Sequence, residues 1–238
     1  MSKMLATWLF AGLSLVAIGS VYVSIFNIPH QLIKFDEFLV LFQGSVFLCA
    51  GMWLLGLPGL NSEIDKCNSM GIGNGFKTGI KYFLWYFFVA AAIIGAAWLI
   101  ITFFPQVMDN INKDYSRMAT DISQGKNYLL DIVFQNPLRT GVYLLGACVL
   151  VPLEEELFFR RFFYVAIKEK FGVRYGIILS SLMFGVVHLS SPVLGVLIGV
   201  FLAFIYEKHK NLLINVITHG LINFFIILLK DVFLPYFN

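Results

Sequence analysis

Along this chain, apolar residues gather into long unbroken runs instead of alternating with polar ones. The runs fall at about 4–28, 37–59, 81–104, 138–167, 174–190, 192–207 and 211–230. A hydrocarbon layer about 30 Å thick is crossed by about 20 residues of helix, so each run predicts a membrane-spanning helix. Backbone groups in lipid must be bonded internally, and the period-two alternation of barrel strands is absent. The expected fold is all-α: a polytopic integral membrane protein with about seven transmembrane helices, within a range of six to eight. Two stretches are polar enough to read as loops. One is Asn61 to Ile80, with the Gly-rich GIGNG at 71–75; the other is Gln106 to Pro137. The second divides one integrated membrane domain into residues 1–137, with three helices and the polar loop, and residues 138–230, with four helices. No internal repeat is visible.

Composition strengthens this picture. Of 238 residues, 59% are hydrophobic and 13% are charged, against roughly 25% charged in an ordinary soluble domain. Mean hydropathy is +0.82. Too few charges are present to cover a water-facing surface, so lipid is the expected surrounding of most of the chain. The net charge of +3 sits in short loops with no interleaved aromatic platform, and no nucleic-acid partner is expected. The first run follows Lys3 and lacks an A-x-A cleavage site, so it reads as a retained span. Placing the N-terminus in the cytoplasm puts Lys66, Lys77, Lys81, Lys168, Lys170, Arg174, Lys208 and Lys210 on the same side, a modest positive-inside bias. The expected location is a bacterial plasma membrane. Cys49, Cys67 and Cys148 form neither a disulfide framework nor a C-x-x-C site. GIGNG lacks the following Gly-Lys-Ser/Thr of a phosphate loop and reads as a flexible connection.

Ionisable residues inside spans are costly and mark function or a buried partner. They concentrate in the C-terminal hundred residues. The fourth run reads VPLEEELFFRRFF and carries Glu154, Glu155, Glu156, Arg160 and Arg161; the fifth carries His188 and the seventh His219 and Asn223. At 100° per residue, Glu156 lies almost above Arg160, a good ion-pair spacing. Glu155 points about 100° away from Glu156, towards another helix and on the side of Phe159. His219 and Asn223 share one helix face, as do Phe184 and His188. Counted from the flanking basic residues, Glu155, His188, His219 and Asn223 lie about 14–21 Å deep, so antiparallel helices bring them to one level. Ser180, Ser181, Gly185, Gly195 and Gly199 are small enough for close helix approach. A structural reading exists for each residue alone: a hydrogen-bonded histidine, a Glu156–Arg160 clamp, a snorkelling Arg161. The joint placement of four polar groups at one depth points to a site.

EELFFR at 155–160, FGVVH at 184–188 and HGLIN at 219–223 resemble, in order, the E-E-x-x-x-R, F-x-x-x-H and H-x-x-x-N motifs of the CPBP intramembrane protease family. That family includes the type II CAAX prenyl endopeptidases and the Abi-type bacteriocin-immunity proteins. Pro152 and the Phe-Arg that follows extend the likeness, and Arg161 departs from it, standing where the family most often has glycine. The resemblance implies that Glu155 activates water, that His188 helps hold that water, and that His219 and Asn223 donate to the oxyanion. It further implies that Glu156 and Arg160 orient the first glutamate. A positioned base answers the weak nucleophilicity of water, and oxyanion donors in a low-dielectric site are often the largest catalytic term.

These readings predict an intramembrane endopeptidase that cuts membrane-associated peptides or protein tails, in peptide maturation, CAAX-type processing or bacteriocin immunity. No cofactor is expected. The alternative is a zinc version of the same protease with Glu155, His188 and His219 as ligands, against which stands the lack of H-E-x-x-H. A second alternative is a non-catalytic membrane protein that binds a partner peptide. A third is a proton-coupled transporter, for which no inverted repeat is seen.

Overall fold

The computed structural model describes residues 53, 56, 61–103, 137–188 and 191–229. The expected span at 4–28, all of that at 37–59 except residues 53 and 56, Cys49, and nearly all of the 106–137 loop lie outside these residues. Within them the chain is helical, with no strand. A helical stretch at 61–70 is followed by α1 (Ile72–Phe103). The long helix α2 covers 137–171 and changes pitch along its length. Then come α3 (Val173–Val187), α4 (Pro192–His209) and α5 (Leu212–Leu228).

The boundaries have local causes. Gly172, at φ +88°, separates α2 from α3 in a conformation that favours glycine. Pro192 opens α4, where its missing N–H would have no partner. Lys210, at φ +51°, ends α4 in the left-handed region. Asn211 then caps α5, its side chain accepting from the Leu213 N–H at 2.9 Å.

The reading of Asn61–Ile80 as a loop is corrected. Only Gly71, at φ +77°, interrupts two helical segments there, and α1 starts nine residues before the expected 81. Glycine suggested flexibility, but its role here is close packing. A Cβ on Gly75 would lie 2.8 Å from Leu213 Cδ2, and one on Gly79 would lie 2.7 Å from Ile217 Cγ2. Gly75 and Gly79, one turn apart, thus let α1 lie against α5 in the manner of small-xxx-small helix pairs. Thr218 Oγ1 donates to the Gly79 carbonyl across the same seam at 3.2 Å.

The second close seam joins α3 to α4. Gly195 and Gly185 meet backbone to backbone, with the Cβ position of Gly195 3.0 Å from Gly185 Cα and 3.0 Å from His188 Cβ. Gly199 fits against Ser181 in the same way. Residues Phe159, Phe184, Ile198, Leu202, Ile205, Ile214 and Ile222 form the core where α2, α3, α4 and α5 meet.

Two described helices are long and apolar enough to cross a membrane: residues 72–100 within α1, and α4; α3 and α5 are apolar but shorter. Trp85, Phe88, Ile93 and Trp98 on α1 are each more than 60% exposed. A soluble monomer rarely shows so large an apolar face, whereas lipid accepts it. The fold is that of an integral membrane protein.

Candidate active site

The site is built on α2. Pro152 cannot donate a backbone hydrogen bond, which leaves a carbonyl one turn earlier without its helical partner. The preceding turn, Gly146–Leu150, widens to π-helical pitch, with the Val151 N–H bonded to the Gly146 carbonyl. Two carbonyls of this turn lie against α5, one of them hydrogen-bonded. Asn223 Nδ2 donates to the Ala147 carbonyl at 3.0 Å. The Cys148 carbonyl sits against Gly220, filling the space a side chain there would need. A second π-helical segment, Leu157–Tyr164, follows the glutamates. Such turns are uncommon in helices and recur at functional sites because they re-aim side chains. Between the two lies the short α-helical piece Val151–Glu156, which presents Glu154, Glu155 and Glu156.

Glu156 is fully buried and saturated with donors. Its Oε2 accepts from Arg160 Nε at 3.0 Å and from Asn215 Nδ2 at 2.9 Å, and its Oε1 lies 3.0 Å from His219 Nδ1. Arg160 is equally buried, with its guanidinium carbon 5.1 Å from the centre of the Phe184 ring. Its Nη1 and Nη2 have no hydrogen-bond partner among the described residues. Asn215 also donates to the Leu202 carbonyl at 2.8 Å, tying the glutamate to α4.

Glu155 is placed differently. Its Oε1 is 3.8 Å from His188 Nε2, and its Oε2 is 3.6 Å from His219 Nε2. Both separations exceed a hydrogen bond, and Oε2 is buried without a partner. The other ring nitrogens explain why. His188 Nδ1 lies 2.8 Å from the Phe184 carbonyl, which can only accept. His219 Nδ1 faces Glu156, which acts as an acceptor once ionised beside Arg160. These partners assign the proton of each neutral ring to Nδ1, so each Nε2 turns a lone pair towards Glu155. Three acceptors converge, and among the described residues no donor joins them.

Phe184 forms the wall behind this cluster. Its ring stacks on His188 at 4.3 Å between centroids and meets His219 edge-on at 5.7 Å and Phe159 at 5.0 Å. Glu154 is also buried, and its Oε2 has no described partner. Arg161 points out of the site and donates to Glu63 at 2.8 Å, fastening α2 to the 61–70 segment.

The structure therefore brings Glu155, His188 and His219 together, with Glu156 and Arg160 directly behind. Asn223 is on the same face of α5, one turn beyond His219, with an amide N–H engaged by Ala147. Asn215 and Phe184 join the site as further members. Asn215 was legible as part of a four-residue period along α5, Asn211, Asn215, His219 and Asn223, whose earlier half the motif reading left out. The Glu155, His188 and His219 side chains include the donor types of catalytic zinc sites. Yet among the described residues no group of three histidine, cysteine or acidic side chains has the spacing to hold a metal ion.

The region that carries these residues is also similar to known proteins. Residues 137–225 match the sequence model of the family described as "Type II CAAX prenyl endopeptidase Rce1-like". The chain is 26% identical over 110 residues to the "Putative membrane peptidase YdiL" of Bacillus subtilis (strain 168), covering 45% of this chain and 43% of that protein. It is 36% identical over 98 residues to the "UPF0177 protein YxdF" of Lactococcus lactis subsp. lactis (strain IL1403), covering 40% of this chain and 52% of that one. The chain thus matches about half the length of these curated relatives. No solved structure matches it. Residues 137–225, which carry every member of the Glu155 cluster, are thus similar to the Rce1-like, type II CAAX prenyl endopeptidase family.

Proposed function

We propose that this protein is an intramembrane endopeptidase in which Glu155 activates water. The observation that carries this reading is the convergence of the Glu155 carboxylate and two imidazole lone pairs, at 3.6 and 3.8 Å, with no donor between them among the described residues. Water supplies what is missing. A water oxygen about 2.8 Å from both a carboxylate oxygen and an Nε2 subtends an angle of roughly 80° at these separations, which a water molecule accommodates. Its protons satisfy acceptors that are otherwise orphaned.

In the proposed reaction, the water oxygen attacks the scissile carbonyl carbon while Glu155 takes a water proton. His188 helps hold the water, and its ring is fixed by Phe184 and by the close approach of Gly195. The carbonyl oxygen becomes an oxyanion, stabilised by donors from His219 and Asn223. His219 donates from Nε2 only when that nitrogen carries a proton, its Nδ1 being engaged by Glu156. The proton held by Glu155 then passes to the leaving amine as the C–N bond breaks. Glu156, Arg160 and Asn215 hold the frame and do not react.

The substrate is proposed to be a membrane-associated peptide or protein tail, because the site is made by helices of a membrane protein. The full chain is proposed to have about seven spans, with its N-terminus in the cytoplasm. A bacterial plasma membrane is the proposed location, in keeping with the two bacterial relatives.

The test is cleavage of a panel of membrane-tethered peptides by the detergent-purified chain, with and without a strong chelator. Cleavage that survives chelation supports the glutamate reaction. Loss on chelation with recovery on adding Zn²⁺ replaces it with the zinc form. If no peptide is cut, while Glu155→Gln still performs the cellular function, the chain is a binding protein instead.

A further inference from the structure

A second site lies away from the glutamates, at the end of α4 where the chain turns into α5. A cavity of about 320 Å³ opens there, lined by Lys66, Ser69, Met70, His209, Lys210 and Asn211. It brings together the 61–70 segment and the α4–α5 corner. Asn211 pins the two, donating from Nδ2 to the Lys66 carbonyl at 3.2 Å while its Oδ1 caps α5. The cavity floor is therefore a built junction of two segments far apart in sequence.

Its charge is unbalanced. Glu63 is shared between Lys66 at 2.7 Å and Arg161 at 2.8 Å. Glu207 is shared between Lys168 at 2.8 Å and Lys210, and also accepts from Tyr164. Two carboxylates thus serve four cations. Lys208 adds another beside the cavity, its ammonium 5.9 Å from the Tyr82 ring, and Asp65 is the nearest further acid in sequence. The His209 ring is held in place by the Tyr82 hydroxyl at 2.9 Å. The Lys66 and Lys210 side chains are part-exposed at the cavity wall. Lys210 does so from a left-handed backbone, where glycine or asparagine is the cheaper choice. A lysine kept in that conformation at the mouth of a cation-rich cavity points to an anion.

We propose that this cavity binds a phosphate-bearing anion, with Lys66 and Lys210 as its charged walls and Ser69 as a hydroxyl donor. Its position favours the headgroup of an anionic phospholipid as the source. The cavity is at the end of α4, a helix apolar and long enough to span the bilayer, and so at the level of lipid phosphates. From Ser69 and Met70 the chain runs directly into α1, where Ile72, Phe76, Ile80 and Leu84, each four residues from the last, are exposed. That stripe is a track for acyl chains leaving a headgroup held at Lys66. Basic pockets between membrane helices recognise lipid headgroups on these terms.

The experiment uses the full chain, purified and exchanged into mixed vesicles of phosphatidylglycerol and phosphatidylcholine, with retained lipid counted by native mass spectrometry. In parallel, the unfolding midpoint is followed in detergent with inorganic phosphate or sodium chloride at matched ionic strength. The test variant is Lys66→Gln combined with Lys210→Asn. Asparagine suits the left-handed backbone, Glu63 keeps Arg161 and Glu207 keeps Lys168, so the fold is preserved. The control is Lys77→Gln, an exposed lysine that does not line the cavity. Wild type and control are expected to retain phosphatidylglycerol selectively, and the double variant to lose about thirty-fold of that preference. If inorganic phosphate raises the wild-type midpoint but not that of the double variant, while lipid retention is indifferent to headgroup, the site stands and its anion is soluble. Equal binding of both anions by wild type and the double variant, or binding of neither by wild type, overturns the proposal.

Discussion

Glu155 and Glu156 are neighbours in sequence with opposite surroundings. The Glu156 side of α2 has an ion pair, an amide and an imidazole N–H all within 3.0 Å. On the Glu155 side, the nearest imidazole nitrogens stop at 3.6 and 3.8 Å, and one carboxylate oxygen has no described partner. A buried charge is tolerated when its lone pairs are occupied, and the Glu156 side meets that demand. The Glu155 side leaves it open, as a group must if it is to engage water and substrate. The difference separates a residue that holds the fold from one that is free to react, although a single peptide bond joins them.

The strongest way to break the comparison is to remove the saturated partner. Glu156→Ala leaves Arg160 buried without a counter-charge, and losing one member of a buried pair costs about 3–5 kcal/mol. Thermal unfolding in detergent and the amount of chain recovered from membranes are expected to fall together, with activity lost as a consequence. On the reactive side, His188→Ala is expected to slow peptide cleavage by about 10²–10⁴-fold, the range for a group that positions or moves a proton. Its unfolding midpoint should stay near wild type, because His188 is part-exposed and spends one ring nitrogen on its own helix.

Asn215→Leu sharpens the boundary between the sides. It removes a donor from Glu156 and from the Leu202 carbonyl, for which about 1–3 kcal/mol of stability is expected to be lost. Cleavage per folded molecule should change less than with His188→Ala. The smallest effect is expected at the edge: Arg161→Gln breaks a part-exposed bond to Glu63, worth about 0–1 kcal/mol, and leaves cleavage unchanged. If Arg161→Gln matched Glu156→Ala in the same unfolding assay, burial would not be what separates the two sides.

The parts of this arrangement that follow from simple periodicity were legible in the sequence. The runs at 174–190, 192–207 and 211–230 correspond to α3, α4 and α5 within a few residues at each end. The four-residue spacing of Glu156 and Arg160 anticipated their contact, because helix pitch alone sets it. The segment at 61–80 was misread because glycines spaced by four are ambiguous. A flexible turn and a helix face pressed against another helix share that composition, and only Leu213 and Ile217 on α5 decide between them. The widened turns of α2 were hidden for a related reason. Pro152 announces an orphaned carbonyl, but how another helix packs on that turn depends on Asn223 and Gly220, about seventy residues further on. His219 between two carboxylates is likewise a tertiary fact, since the spacing along α5 shows its face and not the two glutamates it meets.

The central claim, that Glu155 reacts while Glu156 only supports, is tested most directly with Glu155→Gln. Cleavage of a membrane-tethered peptide and the unfolding midpoint would be measured on the same purified sample. The account predicts an unfolding midpoint close to wild type, since glutamine keeps the shape and Glu155 makes no described hydrogen bond to lose. It also predicts cleavage reduced by at least about 10²-fold, because the amide cannot take a proton from water. A Glu155→Gln protein that folds as wild type and still cuts at a comparable rate would contradict it.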